Sequence, residues 1–310
     1  MSCTSNSFIK WAFCVVVLTT VFVSCKKTED KNFDNNTAIS PHRIPTIKIE
    51  GYVTRVFIDL IGRTPLETEL AFETDLLKEN NLSKASRETL VTKLQTDSAE
   101  VVGDSSYAIA YGERLYIIIK SRMVEGAETP SFTRHIGNAN NSLRQGRLLG
   151  DSIRVFAALD KIKRNQEVLD AKYEFRNQEI TLNEVFARML NNNVYDEINM
   201  NTFNFVNASF DDLFYRFPTE TEFDIAFSII ERNEVGPLFG GFAATKGEYC
   251  KLLTESDEFY EGLIRWTYLT LLDRDPTTSE VSSHFQTLQS TQDFRNLQKE
   301  IIITDEYADF

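Results

Sequence analysis

Hydrophobic residues recur three and four positions apart in several stretches of this chain. In the first of these stretches the apolar positions are Val53, Val56, Phe57, Leu60 and Ile61. On an α-helix this spacing aligns the five side chains along one face, which is the pattern of an amphipathic helix packed against a core. The stretch therefore predicts a helix with a single buried face.

The same pattern occurs three times, in residues 52–70, 205–223 and 263–281, which align without gaps. Each segment runs from its apolar stretch into an Arg-x-Pro sequence. The repeated positions are Arg63 and Pro65, Arg216 and Pro218, and Arg274 and Pro276. Gly62 suits the left-handed residue that ends a helix, and a proline suits the first turn of the next helix. The repeat therefore predicts three helix-turn-helix units.

The predicted second helices differ in how their first turns are capped. Thr64 precedes Pro65, and Glu67 follows three residues later, which is the spacing of a capping box. Asp275 can cap the helix of the third copy in the same way. Phe217 has no side-chain acceptor, so we expect the second copy to lack a side-chain cap at that position.

The repeated arginines favour a structural role over a ligand-binding one. Asp59 lies four residues before Arg63, and Asp212 lies four residues before Arg216. This spacing predicts ion pairs along a helix face. A cation in the last turn also interacts favourably with the helix dipole. A functional role for the arginines remains the alternative.

Each copy closes with a second signature, in which a leucine-like residue precedes hydroxyl and acidic residues and then a hydrophobe. The signature occupies residues 94–101, 253–259 and 303–307. The predicted modules then span 50–101, 205–259 and 263–307, with three short helices in each. The predicted fold class is all-α, with repeated helix-turn-helix modules packed as a helical bundle-like domain over residues 46–310.

Residues 103–200 form a predicted helical insert between the first and second modules. Helices are expected over Tyr107–Val124 and Thr181–Leu190, and one long helix is expected over Asn141–Lys172. One side of the long helix carries Leu148, Leu149, Ile153, Phe156, Leu159 and Ile162. Tyr195–Phe205 is polar and aromatic, so it is either a packed connector or a loop that binds sugars or a partner.

The repeated pattern resembles the helical modules of the DUF4214 and DUF1549 type. The shared elements are an aromatic residue and valine, then Phe-x-Asp-Leu-x-Gly-Arg-x-Pro at positions 57–65, and later Ser/Asp-x-Glu-Phe/Tyr. The phycobilisome linker module has a related pattern. The resemblance covers about half of residues 25–310 and implies a secreted or surface helical protein. These families bring no agreed catalytic residues, so none is carried over.

The N-terminus resembles the signal of a bacterial lipoprotein. An apolar run from Trp11 to Val23 has the length of a signal-peptide core and is too short to span a membrane comfortably. It leads to Ser24 and Cys25, the cleavage and lipid-attachment positions of a lipobox, although Phe22 departs from the usual leucine. An ordinary signal peptide and an uncleaved anchor are the alternatives. Residues 1–24 are therefore the predicted signal peptide.

In the resemblance, Cys25 becomes acylated, and two or three acyl chains give durable anchoring. Residues 25–45 are polar and charged with few large apolar side chains, so we expect a disordered tether. Lys26 occupies the position where aspartate favours retention in the inner membrane, which favours the outer membrane. Both the periplasmic and the surface face remain open.

Composition and charge exclude several classes of function. The formal net charge is −13, and an acidic chain repels nucleic acid and anionic headgroups. Beyond Cys25 the only cysteine is Cys250, which is expected to be a small buried residue rather than a nucleophile. His42, His135 and His284 are isolated, so neither a zinc site nor any other cofactor is expected.

The glycines and the lysine of residues 240–247 lack the spacing of a phosphate loop, and no strand is predicted before them. Because no catalytic constellation is found, the predicted function is a non-enzymatic interaction or scaffold protein of the cell envelope. Its expected partners are the membrane, through the lipid anchor, and another envelope protein or a surface polymer. The alternatives are an accessory protein or unrecognised enzyme acting on envelope or extracellular polymer, and a soluble-ligand binder in an uptake system that uses an asparagine-rich loop.

Overall fold

The computed structural model describes residues 44–101 and 104–310 of the chain. The predicted signal peptide, Cys25 and all but the last two residues of the predicted tether lie outside these ranges. Residues Ile44–Phe310 form one compact unit. The all-α fold class predicted from the sequence is confirmed, because fifteen helices and one two-stranded hairpin make up the regular structure of the described residues.

The helices lie in the following order along the chain. They are α1 (Thr46–Ile61), α2 (Glu67–Glu79), α3 (Lys84–Thr96), α4 (Tyr107–Met123), α5 (Thr129–Leu149), α6 (Ser152–Arg176), α7 (Leu182–Leu190), α8 (Asn193–Asn199), α9 (Thr202–Phe214), α10 (Glu220–Arg232), α11 (Lys246–Thr254), α12 (Asp257–Leu272), α13 (Thr278–Thr291), α14 (Phe294–Ile302) and α15 (Asp305–Ala308). The hairpin strands, β1 (Gly236–Leu238) and β2 (Gly241–Ala243), pair antiparallel between α10 and α11.

Each Arg-x-Pro segment connects two helices, as the repeat predicts. The three modules are α1–α2–α3, α9–α10–α11 and α12–α13–α14, and the third also includes the short helix α15 at its end. The first helix of each module turns its predicted apolar face inward, and Val53, Val56, Phe57 and Leu60 of α1 are buried. The period of 3.6 residues explains this result, because these side chains share one face of the helix.

Left-handed residues end the first helix of every module. Gly62 has a φ of 77°, as its position after α1 predicts, and its N–H donates to the carbonyl of Ile58. Tyr215 and Asp273 take the same role after α9 and α12, with φ values of 57° and 54°. Side chains other than glycine rarely adopt this conformation, so only the first copy carries the usual sequence signal.

The second helix of each module was expected to begin at the proline, but it begins two residues later. Pro65, Pro218 and Pro276 precede the cap residue and lie outside the helices that follow. In the second copy, Thr219 caps α10 and Glu222 completes a capping box, so this copy does have a side-chain cap. The proline instead holds the turn extended, because its ring fixes φ.

The caps of the other two copies also lie later than expected. In the third copy the capping box is formed by Thr277 and Glu280 rather than by Asp275. In the first copy the Glu69 carboxylate accepts from the backbone N–H of Leu66 at 2.7 Å, and Thr64 does not cap the helix. The acidic residue at the third helical position is therefore the shared feature.

The insert passes through the centre of the molecule rather than lying beside the modules. Helices α4, α6 and α7 contribute Tyr111, Ile119, Val168 and Val185 to the same hydrophobic cluster as the modules. One connected core therefore joins all three modules to the insert. The third module also reaches the first, because Arg87 of α3 donates to Asp305 at the start of α15.

The long helix predicted over Asn141–Lys172 is two helices. Gly150, with a φ of 69°, ends α5, and the Asp151 side chain accepts from the N–H of Arg154 to begin α6. The two helices form a hairpin. They approach closely at Gly146, where an added Cβ would lie 3.0 Å from the side chain of Val155. A glycine followed by an aspartate was therefore a break signal within an otherwise helical pattern.

Two further expectations about local structure are wrong. The segment Tyr195–Phe205 is not a loop, because it holds most of α8 and the start of α9, and the burial of Tyr195 and Phe205 agrees with the packed-connector alternative. Asn192, which lies before this segment, caps α8, and Asn201 within the segment caps α9. In addition, no strand was expected before the glycine-rich stretch of residues 240–247. Strand β1 ends just before this stretch, and β2 lies within it.

Candidate functional site

The repeated arginine lies at the centre of a cluster of acidic and aromatic side chains. In the first module, Arg63 donates from Nη1 and Nη2 to Glu69 at 2.7 and 2.9 Å, and from Nε to Asp104 at 2.6 Å. Nη1 also donates to the carbonyl of Thr64 at 3.0 Å. The guanidinium lies 5.6 Å from the centre of the Phe57 ring. The cluster therefore joins the end of α1 to the start of α2.

The second module repeats this geometry. Arg216 donates to Glu222 at 2.8 and 2.7 Å, and to the carbonyl of Phe217 at 3.1 Å. Its second acidic partner is Glu258 of α12, at 3.0 Å from Nε. Its guanidinium lies 5.1 Å from the centre of the Phe210 ring. The partner carboxylate and the ring again lie six positions after and before the arginine.

The third module completes the set. Arg274 donates to Glu280 at 3.0 and 2.6 Å, and to Glu306 of α15 at 2.6 and 2.8 Å. It lies 5.1 Å from the centre of the Tyr268 ring and donates to the carbonyl of Asp275 at 3.0 Å. All five donors of this guanidinium therefore have acceptors within the protein.

These bonds decide the chemistry of the clusters. Hydrogen bonds from Arg216 and Arg274 lower the pKa of Glu222 and Glu280 to about 2. Burial acts to raise the pKa of Glu69, but hydrogen bonds from Arg63 and Tyr107 lower it to about 2. Because bidentate partners occupy the guanidinium donors, little capacity is left for a phosphate or carboxylate ligand. Each cluster therefore joins the first helix of its module to the turn and the second helix that follow it.

The expected partners of the arginines are elsewhere. Asp59 accepts from the hydroxyl of Tyr307 at 2.7 Å, and Asp212 accepts from the hydroxyl of Tyr195 at 2.7 Å. Burial raises the pKa of both carboxyl groups. The predicted i,i+4 pairs with Arg63 and Arg216 do not form, because these arginines lie beyond the last helical turn and point towards the next helix. The two aspartates instead connect α1 to α15 and α9 to α8.

The closing signatures also differ among the copies. Glu258 and Glu306 belong to the signatures of the second and third modules, but the acidic partner of Arg63 is Asp104, which lies beyond residues 94–101. In those two modules, Ser256 and Thr304 cap the next helix. An alignment of the three copies does not identify Asp104, because this residue occupies no position equivalent to Glu258 or Glu306.

The remaining candidate chemical groups are dispersed. His284 bonds to Glu300 at 2.9 Å and to Tyr268 at 3.1 Å, and His135 lies 3.3 Å from Glu197. His42 lies outside the described residues. Among the residues that are described, no group of three His, Cys, Asp or Glu side chains could hold a metal ion. Cys250 is fully buried, as expected, and burial raises the pKa of its thiol to about 12.

The lysine of the glycine-rich stretch is used for packing. Lys246 forms an ion pair with Asp196 of α8, and its ammonium lies 3.9 Å from the centre of the Phe205 ring. The asparagine-rich segment is likewise occupied, because Asn192 accepts from the N–H groups of Val194 and Tyr195 and donates to two carbonyls. The polar groups of Lys246 and Asn192 are therefore bonded within the protein.

A groove of about 630 Å³ runs between α3, α4 and the start of α14. Its lining includes Gln95, Tyr111 and Arg295. Gln95 donates to the carbonyl of Arg295 at 3.0 Å, and Tyr111 donates to Gln298 at 2.7 Å. Its polar side chains are therefore largely bonded to the protein itself.

A group of large apolar side chains lies exposed at the end of the α5–α6 hairpin. We define the hairpin tip as Leu148, Leu149, Ile153 and Phe156, whose exposed fractions are 80, 73, 83 and 71%. The sequence pattern placed these residues on one side of a single long helix. They do not lie on one side in the structure, because the chain reverses at Gly150, and no other element of the described residues covers the end of the hairpin.

Comparison with known proteins leaves the hairpin tip and the arginine clusters without a precedent to draw on. No protein-family model matches the chain, and no curated protein and no solved structure matches it significantly. Among the helices that the structure describes, none has both the length and the apolar character needed to cross a membrane.

Proposed function

We propose that this chain is a lipoprotein of the cell envelope that acts as a non-enzymatic interaction or scaffold protein. Cleavage after Ser24 and acylation of Cys25 would hold it to the outer membrane. The helical body would present its surface to another envelope protein or to a surface polymer. The observation that carries the interaction role is the hairpin tip, where four large apolar side chains lie in solvent.

The distribution of polar and apolar groups supports this proposal. In the three arginine clusters the charged groups are paired with one another across the turns. By contrast, the four apolar side chains of the hairpin tip are largely exposed to solvent rather than packed against the rest of the protein. Contiguous exposed apolar residues on a folded protein typically mark a site of interaction.

One experiment tests the anchor. The full chain, Cys25→Ser and the control Cys250→Ser are expressed in a Gram-negative host with labelled palmitate, and membranes are washed with alkaline carbonate. We expect label and carbonate-resistant membrane association for the unchanged chain and for Cys250→Ser, and neither for Cys25→Ser, because acyl chains resist a wash that releases peripheral proteins. Carbonate-resistant association of Cys25→Ser would contradict the anchor.

The scaffold role has its own test. The protein is purified from detergent-solubilised envelope. The amounts of the proteins and polysaccharide that copurify with it are then measured relative to the amount of the protein itself. We expect one envelope component at near-equal molar amount. A hydrolytic activity on envelope polymer that stays with the purified protein would contradict the non-enzymatic role.

A soluble-ligand binder is the second candidate, and the groove of about 630 Å³ favours it. Pockets of this size can enclose a small molecule. A ligand screen that measures the melting temperature tests this candidate. Gln95→Ala changes a residue that lines the groove, and Asn207→Ala, in α9 and outside the groove, is its control. Equal responses of the two variants would exclude the groove.

A further inference from the structure

The distal half of the α5–α6 hairpin stands apart from the body. Phe132 of α5 and Val168 of α6 belong to the central core, whereas Ala139, Leu143 and Ala158 are buried but do not belong to it. At a rise of 1.5 Å per residue, the helix from Phe132 to Leu149 carries the tip about 25 Å outward. The hairpin is therefore a projecting arm.

The arm differs from the body in the sign of its charge. Residues 136–163 contain five basic side chains, Arg144, Arg147, Arg154, Lys161 and Lys163, and two acidic ones, Asp151 and Asp160. The chain as a whole has a net charge of −13. Arg144, Arg147 and Arg154 lie within about one and a half turns of the apolar tip along the helices.

The acidic body does not cancel this local charge. At physiological ionic strength, charges in solvent are screened over about 8 Å, roughly a third of the length of the arm. An anionic surface at the tip would therefore experience mainly the nearby arginines. The repulsion expected from net charge alone does not extend to this part of the molecule.

The apolar residues of the tip do not share one face. Leu148 and Leu149 are adjacent on α5, so their side chains differ by about 100° in direction, yet both are largely exposed. Ile153 and Phe156 extend the apolar surface on α6. A flat or grooved protein partner would cover one of these directions, whereas a hydrocarbon phase can surround all of them.

We propose that the hairpin tip inserts into the interfacial region of an anionic lipid leaflet. Leu148, Leu149, Ile153 and Phe156 would lie among the upper acyl chains, and the three arginines near the tip would contact lipid phosphates. This arrangement is that of a monotopic membrane contact, in which apolar and cationic groups act together. The inference rests on the proposed function and deepens it, because it places the protein beside a membrane and names the leaflet as what the hairpin tip contacts.

The contact would orient the body. With the tip in the leaflet, the modules would stand roughly 25 Å from the lipid surface, the length of the arm. Acyl chains on Cys25 would hold the protein at the membrane, and the arm would set which side of the body faces away.

Vesicle binding tests the inference on residues 44–310, a compact unit that includes the whole core but lacks the predicted lipid. The vesicles are phosphatidylcholine alone and an equal mixture with phosphatidylglycerol. We expect salt-sensitive binding to the mixed vesicles. Replacing the four tip residues with serine should weaken this binding at least about tenfold, because the apolar contribution is removed.

The matched control is Val235→Ser with Phe242→Ser, two apolar residues of similar exposure outside the arm. We expect this control to bind like the unchanged protein. Arg144→Gln with Arg147→Gln should remove the preference for anionic vesicles. Equal melting temperatures for all variants, measured by circular dichroism, show that the fold is retained.

Three results would overturn the inference. The first is absence of binding to mixed vesicles by the unchanged protein, and the second is equal loss in the control. The third is a dimer that the tip variant alone converts to a monomer, since a second copy would then cover the tip. None of these results affects the palmitate and carbonate test of Cys25, so failure of the arm and failure of the anchor are distinguishable.

Discussion

Alanine at Gly262 should destabilise the protein, while the same substitution at the aligned position, Gly51, should stabilise it. Both glycines lie within first helices of modules, directly before the segments that begin at residues 52 and 263. A Cβ at Gly262 would lie 1.9 Å from the carbonyl oxygen of Leu213, whereas a Cβ at Gly51 has nothing within 4 Å. The two sites therefore differ only in their tertiary surroundings.

The magnitude follows from the contact at α9. A carbon–oxygen contact needs about 3.3 Å, so α12 and α9 must separate by about 1.4 Å at Gly262. Because the neighbour is backbone, it cannot move aside as a flexible side chain could. Overpacking of this kind typically costs about 1–3 kcal/mol, and we expect the upper part of that range. The helix propensity of alanine offsets about 1 kcal/mol, which leaves a loss of about 2 kcal/mol.

At Gly51 only the propensity acts, so we expect a gain of about 0.5–1 kcal/mol. Thermal unfolding of residues 44–310, followed by circular dichroism, measures both changes. A domain of this size shifts by about 2–4 °C per kcal/mol, so Gly262→Ala should lower the melting temperature by about 4–8 °C. Gly51→Ala should raise it by about 1–4 °C. If both variants raised it equally, the close crossing of α9 and α12 would be refuted.

Three further predictions concern the arginine clusters and the buried thiol. Arg216→Ala should lower the free energy of unfolding by about 1 kcal/mol, a figure reduced for solvent exposure, whereas Arg144→Ala should change it little; urea titration measures both. The folded pKa values of Glu69, Glu222 and Glu280 are about 2, below the ordinary value of 4.5. Their contribution to the stability of the fold is therefore complete above about pH 4.5 and is lost as the pH falls towards 2. The melting temperature should drop across that window, and a smaller drop for Glu222→Gln would support the assignment of the drop to these carboxyl groups. Cys250 should react with a thiol reagent in residues 44–310 no faster than the protein unfolds, because the folded state hides the thiol and raises its pKa; immediate reaction under native conditions would contradict its burial.

Much of the helical structure could be predicted from local pattern. The spacing of Val53 to Ile61 predicts α1 and its buried face, and the expected bounds of Tyr107–Val124 differ from those of α4 by one residue. Local signals were weaker at helix starts. Proline followed by threonine and glutamate allows two starting points, and the later one is adopted because the acidic residue can then bond both to the cap and to the arginine.

The candidate site was less predictable. The apolar residues Leu148 to Phe156 would share one face of a continuous helix, but in the structure they lie on two helices, and no element of the described residues covers them. The reversal at Gly150 and Asp151 had a local signal, whereas the exposure of the tip did not. Periodicity can show that residues share a face without showing what lies opposite.

The sequence by itself determined the repeat, the amphipathic helices and the all-α class, because these depend on the order of apolar and polar residues over a few turns. Tertiary structure alone decided the second acidic partners of Arg63 and Arg216, since Asp104 and Glu258 reach them from other elements. It also decided the opposite surroundings of Gly51 and Gly262, two glycines at equivalent positions. The physical reason is that hydrophobic pattern acts along the chain, whereas ion pairs and close contacts depend on which helices pack together in space.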